Sequence, residues 1–333
     1  MQPGERNDRS RQSGMAGDPA VFAALDLGTN NCRLLVARRS EGGFEVIDSF
    51  SRIVRLGEGM TQSGNLGAGA IDRTVAALRI CAGKMRRRGV THSRHVATEA
   101  CRRAANCDAF FDRVAQETGL ELEIISAEEE ARLAVASCSP LLDSALPFGL
   151  LFDIGGGSTE IVWLRTGAVP EIIDTLSLPC GVVGLSERHG CGSVAPAIYE
   201  TMIAEVARLL APFETRHAIG ARVREGTVQM LGTSGTVTTL AGIHMDLPRY
   251  DRARVDGVHL AIEDAWSVAD RLLAMGYDEL VAHPCILGAR ADFVIPGTAI
   301  LAAICRLWPV PRLRVADRGL REGILMDLVA HAR

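Results

Sequence analysis

The centre of the chain carries two short apolar runs joined by a glycine-rich turn. Residues 150–152 are apolar and lead into Asp153, and a second apolar run occupies residues 161–164. Runs of this length with a turn between them predict two β-strands that form a hairpin. Glycines allow a ligand to approach the backbone, so the N–H groups and hydroxyls of this turn are suited to bind phosphate oxygens. The candidate phosphate-binding residues of the turn are Gly155, Gly156, Gly157, Ser158 and Thr159.

The same arrangement occurs near the start of the chain. Residues 21–25 are apolar, Asp26 and Gly28 follow them, and further apolar residues occupy positions 34–36. The interval along the sequence from Asp26 to Asp153 equals the interval from Gly28 to Gly155. The repetition predicts two similar half-molecules that face one ligand, and two unrelated β-turns are the alternative. In this first turn the candidate phosphate-binding residues are Gly28, Thr29, Asn30 and Asn31.

Asp26 and Asp153 are candidate metal ligands because each ends a predicted buried strand beside a predicted phosphate site. Carboxylate and phosphate oxygens are the ligands that a hard cation such as Mg²⁺ prefers, and Mn²⁺ accepts the same set. The sequence therefore predicts a Mg²⁺ site, with Mn²⁺ as a substitute.

A third group of glycine and hydroxyl residues follows the predicted strand at 228–231. This group predicts a loop that leads into a helix, and the N-terminus of a helix attracts anions. The group lacks the lysine of a P-loop, so the sequence does not predict a P-loop enzyme. The candidate phosphate-binding residues here are Gly232, Thr233, Ser234, Gly235 and Thr236.

Strand patterns alternate with helical patterns, of which residues 70–88 are typical because their apolar residues recur at helical spacing. This alternation predicts an α/β fold. Pro140 and Pro147 interrupt the pattern and predict a domain boundary near residue 140. We therefore expect a disordered leader at 1–18, an N-terminal domain at 19–139 and a C-terminal domain at 140–319. The final helix, 320–333, is a candidate to pack back on the N-terminal domain.

Three consecutive glutamates follow Ser126, and their positions separate their roles. Ser126 with Glu129 fits a capping box, in which the glutamate side chain returns to the backbone N–H of the cap residue. Glu128 lies in the first turn, where the helix dipole favours an acid. Glu130 serves neither purpose, so it is the carboxylate most suited to face a cleft.

Composition and charge narrow the function classes. The chain has 333 residues, 47% of them hydrophobic, and a net charge of −4, which gives no general basic field for nucleic acid. Its nine cysteines include no C-x-x-C pair, so buried free thiols are expected. No apolar stretch reaches the roughly 18 residues of a membrane span, and a cytoplasmic location is predicted.

Taken together, these motifs resemble the exopolyphosphatase/guanosine pentaphosphate phosphatase family. The resemblance extends over residues 21–330 and rests on six motifs in order. These motifs begin at Asp26, Ala97, Ile125, Asp153, Gly232 and Arg318.

The resemblance implies an actin/hexokinase-like fold of two ribonuclease-H-like domains with a cleft between them. It also implies Mg²⁺-dependent hydrolysis of a phosphoanhydride bond in inorganic polyphosphate or guanosine pentaphosphate. By this resemblance Glu130 is the general base, Arg102 contacts phosphate, and Glu160 acts with Asp153 in positioning metal and water. Arg290 is a further basic residue expected near the cleft.

Two other readings use the same glycine turns. One is an ATP-using kinase of the same superfamily, and the other is a nucleotide-binding regulator that senses guanosine polyphosphates. The ordered motif set and the intact carboxylates favour the hydrolase. The sequence leaves open the preferred substrate and the oligomeric state, with a homodimer among the alternatives. It also leaves open whether Arg52 and Arg55 face an anion or lie solvated on an edge strand.

Overall fold

The computed structural model describes residues 20–190, 192, 194–286 and 288–332. The predicted leader at 1–18 lies outside these residues. Within them, two β-sheets are each flanked by helices, which confirms the predicted α/β class.

The first sheet is built from the N-terminal part of the chain and has the strand order β3-β2-β1-β4-β5. Neighbouring strands β1, β2 and β3 run antiparallel, whereas β4 pairs in parallel with both β1 and β5. The strands are β1 (Val21–Leu27), β2 (Asn31–Ser40), β3 (Gly43–Ile53), β4 (His92–Ala97) and β5 (Glu123–Ile124). The helices of this part are α1 (Met60–Ser63), α2 (Ala68–Arg87), α3 (Glu99–Arg103), α4 (Cys107–Thr118) and α5 (Ala127–Cys138).

The second sheet repeats this plan. Its order is β10-β11-β9-β6-β7-β8, so β8-β7-β6-β9-β11 corresponds to β3-β2-β1-β4-β5, with β10 added at one edge. The strands are β6 (Phe148–Ile154), β7 (Thr159–Arg165), β8 (Glu171–Leu178), β9 (Val228–Thr233), β10 (His259–Ala261) and β11 (Arg312–Ala316). The helices that follow α5 are α6 (Val182–His189), α7 (Pro196–His217), α8 (Ile219–Arg224), α9 (Ser234–His244), α10 (Arg252–Val255), α11 (Ile262–Ala274), α12 (Tyr277–Ala282), α13 (Ala291–Leu307) and α14 (Leu320–His331).

The two hairpin turns have the same internal hydrogen bond. The Gly28 N–H donates to the Asn31 carbonyl at 2.9 Å, and the Gly155 N–H donates to the Ser158 carbonyl at 3.0 Å. The two donors and the two acceptors are separated by the same interval of sequence, and each turn joins corresponding strands of its sheet. The two turns are therefore a structural repeat, and the alternative of two unrelated β-turns is excluded.

Separate apolar layers hold the sheets. The second sheet packs with α7, α9, α11 and α13 in the largest buried cluster. The first sheet has a layer on each face, one with α2 and α4 and the other with α5 and α14. In this last layer Ile324 and Leu325 of α14 pack with Phe22 of β1 and Leu133 of α5. The last helix therefore returns to the N-terminal sheet, while the exact domain limits stay predictions.

Two predictions from composition concern the cysteines and the membrane. The eight cysteines of the described residues are buried and free. In that same part of the chain, no helix combines the length and the apolar character that a bilayer crossing requires.

Candidate active site

A cleft forms where the two hairpin turns meet the start of α5, the β9–α9 junction and the segment that leads into α14. Most of the residues proposed from the sequence line this cleft. They are Asp26, Gly28, Thr29, Asn30, Asn31, Glu130, Asp153, Gly155, Gly156, Gly157, Ser158, Glu160, Thr233, Ser234, Gly235, Thr236 and Arg290. Arg102, Thr159 and Gly232 are not brought to its surface.

The glycines of the second turn are needed for close packing rather than for an unusual backbone angle. None of the three has a φ in the left-handed region. A Cβ on Gly156 would lie 3.0 Å from Asn30 Cβ, and a Cβ on Gly157 would lie 2.3 Å from Thr29 Oγ1. The two turns are therefore in direct contact: a side chain at 157 would clash with Thr29, and one at 156 would require Asn30 to shift.

Three polar atoms of the first turn have no hydrogen-bond partner among the described residues although they are buried. These atoms are Thr29 Oγ1, Asn30 Oδ1 and Asn31 Oδ1. Buried polar groups without partners are rare in folded proteins and usually mark a place for water or ligand. All three residues line the cleft, which supports the predicted ligand contacts of this turn.

Asp26 and Asp153 occupy equivalent positions near the ends of β1 and β6. Asp26 faces Arg33 across β1–β2, and Asp153 faces Glu160 across β6–β7. Burial raises the pKa of Asp26 above its usual range, and Arg33 opposes this rise. Burial also raises the pKa of Asp153 to about 6, with Asp26 adding to the rise. Burial and the charge of Asp153 raise the pKa of Glu160 to about 7.

This carboxylate set is suited to a divalent cation. Among the described residues, no three or more His, Cys, Asp and Glu side chains are arranged to hold a metal by themselves. Mg²⁺ commonly takes only one or two protein carboxylates and completes its shell with phosphate oxygens and water. Asp26 and Asp153 fit that role because a cation would offset the burial that raises both pKa values and the charge of Asp26 that adds to the rise at Asp153.

Glu130 lies at the start of α5 and is held by Arg102. Arg102 Nη1 donates to Glu130 Oε2 at 2.9 Å and to the Ile125 carbonyl at 3.0 Å. Burial raises the pKa of Glu130 well above its usual range, the charge of Glu160 adds to this, and Arg102 opposes it. Glu130 is therefore a carboxylate that lines the cleft and has a raised pKa, as suits a group that exchanges protons with a ligand there.

Arg102 itself lies behind the cleft wall. Its Nε donates to Glu99 Oε2 at 3.1 Å, and its Nη2 lies 3.0 Å from the same oxygen. The buried Nη2 nevertheless makes no hydrogen bond within the described chain. Arg102 thus orients Glu130 and Glu99, and its predicted contact with phosphate stays a prediction.

The capping-box prediction for α5 is half right. Ser126 Oγ accepts from the Glu129 N–H at 3.2 Å, as predicted. The Glu129 side chain, however, does not return to the cap N–H. It accepts from Arg94 at 2.9 Å and from Arg132 at 2.7 Å. Two strong cationic donors therefore take the place of one backbone N–H, and Glu129 is still kept away from the cleft.

The β9–α9 segment is a direct junction rather than the predicted loop. Gly232 and Thr233 complete β9, and α9 begins at Ser234, whose φ is 78°. The Thr233 hydroxyl donates to the Arg318 carbonyl at 2.6 Å, and the Ser234 hydroxyl donates to the Ile154 carbonyl at 3.0 Å. Both side chains therefore hold backbone segments of the cleft, which leaves the first turn of α9 to face an anion.

The two other predicted residues that stay outside the cleft have packing roles. The Thr159 side chain is completely buried, and its hydroxyl donates to the Cys180 carbonyl at 2.7 Å. A Cβ at Gly232 would lie 2.6 Å from the Phe152 ring. The glycine therefore makes room for a core side chain.

Four arginines line the cleft, and one of them, Arg318, is paired with Asp256. The other three come from separate segments: Arg33 from β2, Arg290 before α13 and Arg321 from α14. Among the described residues, none forms a hydrogen bond or ion pair with any of these three guanidinium groups. Burial and Arg33 lower the pKa of Arg290 to about 10, and burial also lowers the pKa of Arg321. Converging, unpaired cations of this kind are suited to a polyanion.

Arg33 and Arg321 are not among the residues predicted from the sequence, although the sequence contains a signal for each. Arg33 precedes Glu160 by the same interval that separates Asp26 from Asp153. The repeat therefore predicts that Arg33 occupies, in the first hairpin, the position that Glu160 occupies in the second. Arg321 belongs to the motif that begins at Arg318, directly after β11. Ligands of α/β proteins gather at the carboxyl ends of parallel strands, and that rule applied to β11 predicts its place.

Comparisons of sequence and of structure with known proteins point to one family. Residues 35–332 match the sequence model of the Ppx/GppA phosphatase family. Over 320 residues the chain is 31% identical to exopolyphosphatase 2 of Mycobacterium tuberculosis, covering 92% of this chain and 98% of that protein. A solved exopolyphosphatase-like protein is 28% identical with a TM-score of 0.84, covering 93% of this chain and 98% of that chain. The Aquifex aeolicus PPX-GPPA enzyme is 27% identical with a TM-score of 0.75, covering 93% and 100%.

Proposed function

The chain belongs to the Ppx/GppA phosphatase family and has its actin/hexokinase-like fold, and we propose that it hydrolyses the terminal phosphoanhydride bond of inorganic polyphosphate. The observation that carries this proposal is the pairing of Glu130 with Arg102 at 2.9 Å beside a cleft with three unpaired arginines. Glu130 can accept a proton from water, and the three arginines can hold a polyanion.

The proposed chemistry follows from these positions. Phosphoryl transfer proceeds through a loose transition state, so catalysis depends on positioning and on charge stabilisation. Arg33, Arg290 and Arg321 bind the phosphates and neutralise charge on the oxygens. Glu130 accepts a proton from the attacking water, and Arg102 keeps the Glu130 carboxylate in place for that transfer.

Asp26 and Asp153 would hold Mg²⁺, which would supply positive charge to the bound phosphates and let Asp26, Asp153, Glu130 and Glu160 coexist with them. Mn²⁺ offers the same oxygen preference and is the expected substitute.

Guanosine pentaphosphate is the second candidate substrate, and one observation favours it. The cleft wall between α6, α9 and α13 is apolar and contains Val182, Leu240, Phe293 and Val294. An apolar wall beside a phosphate site suits the nucleobase and the sugar of a nucleotide.

The test is release of inorganic phosphate by the purified chain from polyphosphate and from guanosine pentaphosphate, with Mg²⁺ and with chelator. We expect release from polyphosphate that requires the cation and disappears in Glu130→Gln. Transfer of the ATP γ-phosphate to an acceptor with no release from polyphosphate would favour the kinase. Tight guanosine pentaphosphate binding without turnover of any of these compounds would favour the regulator.

A further inference from the structure

Ser177 lies outside the motifs that carry the family resemblance, yet its side chain reaches a central carboxylate of the site. It faces Glu160 directly across β7–β8, and its hydroxyl donates to Glu160 Oε1 at 3.0 Å. Ser158, in the glycine turn, donates to the same oxygen at 2.6 Å. Two hydroxyls from different segments of the chain therefore bind one oxygen of Glu160.

The position of Ser177 follows from strand register. Ser177 faces Glu160, Glu160 faces Asp153, and Asp153 faces Thr233, so the four residues form one row across β8, β7, β6 and β9. Residues opposite one another in neighbouring strands project from the same face of a sheet. Ser177 is thus placed by the ladder itself at the level of the proposed metal ligand.

The second oxygen of Glu160 is left for other partners. No described residue donates a hydrogen bond to Glu160 Oε2. A carboxylate with two donors on one oxygen cannot rotate freely, so its other oxygen has a fixed direction. Glu160 and Glu130 both line the cleft, and the charge of Glu160 adds to the rise in the pKa of Glu130.

We propose that Ser177 is a positioning residue that fixes Glu160, so that Glu160 Oε2 orients the attacking water beside Glu130. The inference rests on the hydrolase activity proposed above. It assigns to Ser177 an effect on turnover rather than on substrate binding, because Ser177 acts through Glu160 and does not line the cleft.

The test compares Ser177→Ala with Ser177→Thr in the full chain. Losing a hydrogen bond to a charged group should lower kcat for polyphosphate by about 10-fold to 100-fold. KM should stay within about twofold because the arginines are untouched, and threonine should restore most of kcat because it keeps the hydroxyl. The matched control is Thr175→Ala, on the same strand and face, where the residue pairs with Val162 instead of Glu160. It should leave kcat unchanged.

A second comparison separates positioning from simple packing. If Ser177 acts through Glu160, Ser177→Ala should lower kcat no further in a Glu160→Gln background. An equal loss in both backgrounds, or a kcat within about twofold of wild type for a folded Ser177→Ala, would overturn the inference. If the alanine variant does not fold, Ser177→Cys fills the same space with a weaker donor and should show the same loss of kcat. Wild-type protein without phosphate release would instead refute the proposed function, and Ser177 would lose its role with it.

Discussion

Arg33 and Glu160 occupy equivalent positions in the two hairpins but carry opposite charges. Arg33 faces Asp26 across the first hairpin, and Glu160 faces Asp153 across the second. Both residues line the cleft. The repeat therefore supplies two aspartates of similar environment, while the residues opposite them differ. In the proposed reaction this difference assigns phosphate binding to Arg33 and water orientation to Glu160.

Arg33→Gln should weaken substrate binding more than it slows chemistry. The guanidinium makes no hydrogen bond or ion pair with the described residues, so its loss removes a contact to phosphate without breaking a bond within the described chain. We expect KM for polyphosphate to rise by about tenfold or more, with a weaker dependence of KM on salt. Arg52→Gln is the control, because Arg52 stacks over Phe50 away from the cleft. Equal changes of KM in the two variants would contradict the assignment.

Glu130→Gln should abolish most turnover and leave substrate binding largely intact. The amide keeps the size of the carboxylate and can still contact Arg102, but it cannot accept a proton from water. Removing a general base typically costs about 10²–10⁴-fold in rate. Steady-state phosphate release measures kcat, and equilibrium binding of polyphosphate to the variant measures the retained affinity.

Glu129→Gln is the matched control for that experiment. The neighbouring glutamate is bound by Arg94 and Arg132 and lies outside the cleft lining. Its loss should reduce thermal stability more than turnover. If Glu129→Gln proved far more damaging to kcat than Glu130→Gln, with both proteins folded, the identity of the base would be wrong.

Local pattern accounts for the parts of the fold that the sequence predicted well. The apolar spacing at 70–88 corresponds to α2, which spans Ala68–Arg87 and buries Val75, Leu78 and Cys81 on one face. The repeat of Asp26 and Asp153 predicted two equivalent hairpins, since strand–turn–strand signals are local. Strand alternation also explains Thr159. It neighbours Glu160 in the same strand, so its side chain points to the opposite face and cannot join the row at the cleft.

Contacts between distant segments account for what the sequence could not show. Nothing in the local pattern places Arg94 near Glu129, because their pairing depends on how β4 packs beside α5. The same holds for Arg55. Its ion pair with Asp292, at 2.7 Å, joins residues from the two halves of the molecule, so neither an anion site nor a solvated edge describes it. A pattern with period 2 or 3.6 contains no information about such pairs.

Arg55 combines this ion pair with a left-handed backbone, φ 51°, and the two effects can be separated. Arg55→Ala and Arg55→Gly both remove the pair, but only glycine also removes the backbone strain. We expect the glycine variant to exceed the alanine variant in stability by up to about 1 kcal/mol, since left-handed residues with a Cβ cost about 1–2 kcal/mol and glycine loses part of this gain through unfolded-state entropy. Calorimetric melting of both variants is the measurement. If the alanine variant melted at a higher temperature than the glycine variant, the backbone at position 55 would not be strained.

Asp153→Asn should stabilise the metal-free protein at alkaline pH. It should also reduce the rise in melting temperature that Mg²⁺ produces. The folded-state pKa of Asp153, about 6, lies above its ordinary value of 3.8, so its contribution to stability is fully present below about pH 4 and is lost as pH rises through 6. The difference between these two pKa values corresponds to about 3 kcal/mol of unfolding free energy that wild type loses at high pH. The asparagine variant does not ionise at this position and loses none of it. In chelator, the variant should therefore melt higher than wild type at pH 8 and gain roughly half as much at pH 5.

Two further melting experiments decide whether Asp153 is kept ionisable for a cation. Added Mg²⁺ should raise the melting temperature of wild type more than that of Asp153→Asn, because the cation offsets the cost of the ionised carboxylate only when the carboxylate is present. Asp48→Asn is the control of opposite sign: Lys84 and Arg88 lower the pKa of Asp48 to about 2, so its loss should destabilise the protein above about pH 4. An Asp153→Asn variant that melts below wild type at pH 8 in chelator would show that Asp153 is held by partners within the protein rather than kept for a cation.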